Sequence, residues 1–128
     1  MIMEAKDILL EALEARWSKY RAELKASREG FSEEAVHDLR VATRRLLAYF
    51  DLLRAIIPHK RIQKIRRALK DHLDELDDLR DVQVMLVDVT EAMHELPDLK
   101  PFQVHLRKEE KQHLRIVRKL VKAWDVKS

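Results

Sequence analysis

A single glycine and three prolines among 128 residues constrain this chain more than any other feature. Tight hairpin turns rely on glycine for backbone angles that other residues avoid, so a strand-and-turn architecture has nothing from which to build its corners. Long helices joined by short loops need far fewer such residues. Charged residues at 38 % and apolar ones at 46 % are the mix of amphipathic helices. A chain of this length makes one domain, residues 1–128, and buries enough surface to fold without metal or disulfide. The absence of cysteine excludes thiolate ligands and cysteine nucleophiles. No apolar run approaches the roughly 18 residues of a membrane span, and Met1-Ile2-Met3-Glu4 lacks the flank of an export signal, so a cytoplasmic protein with no membrane partner is expected.

The few punctuating residues divide the chain. Gly30 stands where a left-handed helix cap is expected, and Ser32 followed by Glu33 and Glu34 reads as an N-cap with a dipole-matched first turn. Pro58 stops the second pattern at Ile57. Pro97 and Pro101 bracket the last loop, and Pro101 suits the opening of a helix. The expected fold is all-α, an antiparallel four-helix bundle with helices at about 3–28, 32–57, 60–95 and 101–124.

Charge is strongly segregated along those helices. Residues 1–35 carry 6 basic and 8 acidic side chains, 36–70 carry 10 and 2, 71–98 carry 1 and 10, and 99–128 carry 9 and 3. At about 100° per residue, Leu39, Leu46, Phe50, Leu53 and Ile57 form the apolar stripe of the second helix. Opposite them lie His37, Arg40 and Arg44, with Arg45 at the edge. In the fourth helix the stripe is Leu106, His113, Val117, Leu120 and Trp124. Across from it, Lys108, Lys111, Arg115, Arg118, Lys119 and Lys122 share one arc that holds no acid. The third helix turns Ile62, Ile65, Leu69, Leu73 and Leu76 inward and sets Lys60, Arg61, Lys64 and Arg67 to another side. Arg80 projects toward the core side of a straight third helix, where it needs a carboxylate such as Asp74, Asp77, Asp78 or Asp81, or a phosphate.

Rows of charge on amphipathic helices are ordinarily solvated faces laced by ion pairs three or four residues apart. Here pairing acids are scarce, since 36–70 contains only Asp38 and Asp51. Unpaired like charges at that spacing destabilise a helix, so cations retained on three helices point to an anionic partner.

Catalytic chemistry finds no foothold in the sequence. The six histidines show no metal-ligand spacing, and the His37-Asp38 doublet lacks the upstream histidine that metal-dependent HD phosphohydrolases require. One glycine cannot make a phosphate-cradling loop. Thr43 and Thr90 have no base in register. The expectation is therefore no enzyme, no cofactor and no metal. His113 reads as a core or interface histidine.

The segment Val36-His37-Asp38-Leu39-Arg40-Val41-Ala42-Thr43-Arg44-Arg45-Leu46 closely resembles the CHAD family, the conserved-histidine α-helical domain, whose motif is His-x-x-Arg-Val-x-x-Arg-Arg on a helix. Leu76-Asp77-Asp78-Leu79-Arg80-Asp81-Val82-Gln83-Val84 is similar to its second segment, Leu-Gly-x-x-Arg-Asp-x-x-Val. The resemblance covers about residues 1–124. It implies a helical domain that binds inorganic polyphosphate on a basic surface, associates with polyphosphate granules and in some members is fused to a CYTH triphosphatase domain. His37, Arg40, Arg44, Arg45 and Arg80 match motif positions. Asp77 replaces the motif glycine, and Leu47 stands where a further basic residue is common. Full-length members have two four-helix halves, and the resemblance here is to one. The run His113-Leu114-Arg115 has a spacing of two and is not a second motif.

Polyphosphate carries no bases, so a binder needs arginine and lysine rows and no stacking platforms. With aromatics at 5 %, and Trp17, Tyr20, Tyr49, Phe50 and Trp124 on or near apolar stripes, no base-stacking surface is expected. The competing readings are a nucleic-acid-binding helical module and a structural helical interaction domain whose basic faces dock on acidic helices. A homodimer is expected, two halves rebuilding the two-half arrangement.

Overall fold

The computed structural model describes residues 4–123. Four helices run through it: α1 (Ala5–Glu29), α2 (Glu33–Ile56), α3 (Lys60–Ala92) and α4 (Lys100–Ala123), with a short 3-10 turn, η1 (Pro97–Leu99), before the last. It is 91 % helical, and no strand occurs among the described residues, so the expected all-α class with long helices and short connections is what the chain adopts. Of the described residues, those up to Leu73 form one compact unit and those from Asp74 a second, the boundary falling inside α3.

The first unit is made by α1, α2 and the first half of α3. Ser32 caps α2 as expected, its hydroxyl accepting from the Ala35 N–H at 3.0 Å. Gly30 departs from expectation, because its backbone is extended at φ −146° rather than left-handed. Its N–H still closes α1 on the Ala26 carbonyl at 2.9 Å, so the turn needs no positive φ. The loop is held by Ser27, 1 % exposed, whose hydroxyl donates to the Ala35 carbonyl at 3.2 Å. Trp17 packs against Tyr20 and against Phe50, with ring centroids 6.0 and 6.2 Å apart, and Arg16 lies over the Tyr49 ring at 5.9 Å. These contacts, low numbers against high ones, make α1 and α2 antiparallel. Leu39, Leu46, Phe50 and Leu53 are buried as the stripe predicts, and Leu69 and Leu73 join them from α3. Pro58 ends α2 as expected. His59 then starts α3, its Nδ1 accepting from the Arg61 N–H at 3.1 Å.

The second unit is a hairpin of the second half of α3 with α4. Leu76, Leu79 and Val82 are buried, as are Leu106, Val117 and Val121. Gln103, 4 % exposed, donates to the Thr90 hydroxyl at 3.1 Å and accepts from Lys100 at 3.1 Å, which ties the two helices antiparallel. The apolar stripe of α4 is thereby turned slightly from the expected one. Val121 is buried where Leu120 is half-buried, and Trp124 lies outside the described residues.

Candidate anion-binding surface

His37, Arg44 and Asp51 recur every seven residues along α2, a spacing that lines them up on one side of a helix, with Arg40 beside them. Asp51 at the end of that line accepts from Nε of Arg66 on α3. This contact turns the His37 row toward the α3 flank of α2. His37 and Arg44 are exposed and Arg40 is half-buried. Both arginines carry interactions of their own, as does Lys70 on α3, so none of the three is a bare charge. Sequence reasoning passed over Arg66 and Lys70, whose i, i+4 spacing on the same side of α3 is the available signal.

Other expected site residues are parted from this row. Arg45 lies on the opposite flank of α2, facing α1. Its charge and that of Asp38 act on Lys19, whose ammonium is raised above its ordinary value chiefly by the hydrogen bond to Glu23, 2.8 Å away. Arg61 lines a groove with Leu10, Leu13, Glu14, Trp17, Phe50 and Ile65, away from the His37 row. Lys64 is exposed on the outer side of α3.

Arg80 does not point into a core; it is exposed. The reason is a rotation of the buried stripe within α3 itself. Leu69, Leu73 and Leu76 share one arc, whereas two steps of three residues carry the burial through Leu79 to Val82, and a step of four leads on to half-buried Leu86, roughly 100° further round. Arg80 belongs to the first arc by spacing but sits where the second one rules.

α4 presents the plainest surface. Lys108, Lys111, Arg115, Arg118, Lys119 and Lys122 are all exposed, on the side away from Leu106, Val117 and Val121. The two described acids of this helix lie elsewhere: Glu109 pairs with His105 at 3.0 Å, and Glu110 is half-buried. Arg118 has an interaction of its own. The row runs over 15 residues, from Lys108 to Lys122, about 21 Å of helix. His113 is half-buried on the apolar side, with Nδ1 buried and no hydrogen-bond partner among the described residues.

Thr43 is 1 % exposed and its hydroxyl donates to the Leu39 carbonyl at 2.7 Å, which leaves it no role as a nucleophile. Among the described residues no group of three or more potential ligands could hold a metal ion, and no helix is long and apolar enough to cross a membrane. Tyr20 and Phe50, 1 % and 5 % exposed, are core residues and present no platform for a base.

The described residues define an all-helical protein whose helices α2 and α4 each carry a row of cations. The family model of the CHAD domain matches residues 11–125, most of the chain, and the chain belongs to the CHAD domain family. No curated protein and no solved structure matches it.

Proposed function

We propose that this protein binds inorganic polyphosphate through its basic helix faces, without catalysis of its own, and associates with polyphosphate granules in the cytoplasm. The observation that carries this reading is the α4 face, six exposed cations with both described acids of the helix off it. Six like charges on one helix face repel one another, and a linear polyanion relieves that repulsion along its whole length. Family membership supports the same ligand; Tyr20 and Phe50 are buried and offer no face to a base, while Phe102 on α4 is exposed, so the choice between a phosphate chain and nucleic acid rests on experiment. The deciding experiment is competition at matched salt. Long-chain polyphosphate should displace duplex DNA and RNA, and orthophosphate should fail to displace either. Equal affinity for orthophosphate and long chains sinks the reading, and a preference for nucleic acid replaces it with the competing one.

The same reading includes a homodimer, in which an isologous contact lets one basic patch serve both subunits. Light scattering should give twice the 15.2 kDa chain mass, and a monomer both with and without polyphosphate overturns this part.

A further inference from the structure

The charge count of residues 1–35 conceals a basic stretch. Between residues 15 and 28, α1 carries Arg16, Lys19, Arg21, Lys25 and Arg28 against a single acid, Glu23. Lys19 occupies that acid and Arg16 is stacked on Tyr49. The other three cations, of which Arg28 carries an interaction of its own, line a concavity of about 380 Å³ with Ser18, Ala22 and Leu24. No carboxylate lines it. Arg21, Lys25 and Arg28 follow one another at four and three residues, so they share a face and span roughly 10 Å of helix. Arg28 sits in the last turn, where a cation complements the helix dipole. The dipole effect fades within one turn, so it does not account for Arg21 and Lys25.

We propose that this concavity is a second anion site, distinct from the rows on α2 and α4, which takes a short phosphate chain. Three cations call for a polyvalent anion, and two guanidinium forks flanking an ammonium favour tetrahedral phosphate oxygens. The lining contains no aromatic ring, so nothing in it holds a nucleobase. The Ser18 hydroxyl supplies a neutral donor at the edge. The ligand class is an unadorned oligophosphate, either free or as the end of a longer chain. The choice of ligand class rests on the proposed function, but the site itself stands on its own geometry.

The test uses the full chain and tripolyphosphate. In amide NMR titrations tripolyphosphate should shift residues 18–28 of α1, and these shifts should persist in Arg40→Ala/Arg44→Ala. Lys25→Glu should weaken tripolyphosphate binding by about tenfold or more, the worth of one charge-assisted hydrogen bond. Lys6→Glu makes the same change in net charge on the same helix, outside the concavity, and should change affinity by less than about twofold, as a surface charge more than a Debye length away is screened. Competition between tripolyphosphate and long-chain polyphosphate for the α1 shifts marks a chain end as the occupant; α1 shifts that long chains do not produce mark a free oligophosphate. If Lys25→Glu and Lys6→Glu act alike, or if residues 18–28 stay unshifted, the site is overturned. Tripolyphosphate bound at α1 with no long-chain binding elsewhere would remove the proposed function and leave this site standing.

Discussion

The Asp51 carboxylate on α2 accepts a hydrogen bond from the Arg66 guanidinium on α3, and through it the line His37, Arg44, Asp51 is turned to the α3 flank. Asp51 is one of two acids in residues 36–70. Spending it on Arg66 aligns the two helices but withholds one cation from any ligand. Asp51→Asn should therefore strengthen polyphosphate binding at low salt while lowering stability by less than about 1 kcal/mol, the range of exposed ion pairs. Weaker binding in this variant, measured by titration calorimetry, contradicts the placement of the row.

The parting of Arg45 from Arg40 and Arg44 gives an asymmetric mutational outcome. Arg40→Ala/Arg44→Ala should reduce affinity for long polyphosphate by about tenfold or more, since charge-assisted hydrogen bonds are worth about 1.5–3 kcal/mol each. Arg45→Ala should cost much less. Circular dichroism should stay helical in both variants, because the core stripe occupies the other face of α2. Loss of helicity would place the arginines in the structure instead.

On α4 the cations act as a row of point charges, so their signature lies in the salt dependence. By analogy with counterion release at single-stranded nucleic acids, Lys111→Ala/Lys119→Ala should flatten the slope of log affinity against log salt by roughly 1 to 1.5. An unchanged slope shows that polyphosphate does not lie along this face.

His72 makes the stability of the first unit depend on pH. Burial lowers its imidazole below the ordinary 6.5, with Asp71 opposing. A histidine depressed in the folded state gains its proton more readily in the unfolded chain. Its contribution is thus present in full above the ordinary value and declines as pH falls through it toward the depressed one. The urea midpoint should drop on acidification from about pH 7.5 to about pH 5.5, across the histidine range. His72→Gln, which does not titrate, should shallow that drop; an identical profile in the variant assigns the pH dependence to other groups.

Ser32 illustrates how far local chemistry reaches. A hydroxyl ahead of two glutamates marks a helix start wherever it occurs, and the Ala35 N–H is satisfied by it here. Ser32→Ala should cost about 1 kcal/mol, whereas Leu46→Ala, at a position with 0 % exposure, should cost about 2–5 kcal/mol in urea denaturation. A reversed order would mean that the core of the first unit is not built on α2.

Helix number, helix ends and the exposure of the α4 cations were legible in the amino-acid order because each depends on neighbours within a turn or two: Pro58 removes a donor, Ser32 offers an acceptor, and a period of 3.6 separates Val117 from Lys119. The CHAD motif residues were legible in the same way, as a spacing on one helix. Which of them act together was not. Arg40 and Arg45 are five residues apart, about 140° round the helix, and only the positions of α1 and α3 decide which neighbour each flank meets. Arg80 keeps the spacing of a core residue, yet it is exposed because the buried arc of α3 turns at Leu79 and Val82. Gln103 is polar and buried because Thr90, thirteen residues away, completes its hydrogen bonding. The α1 concavity was hidden by counting charge along the chain, where acids that do not line it cancel Arg21, Lys25 and Arg28. Periodicity in one helix fixes what each side chain can face; the packing of a second helix decides what it does face.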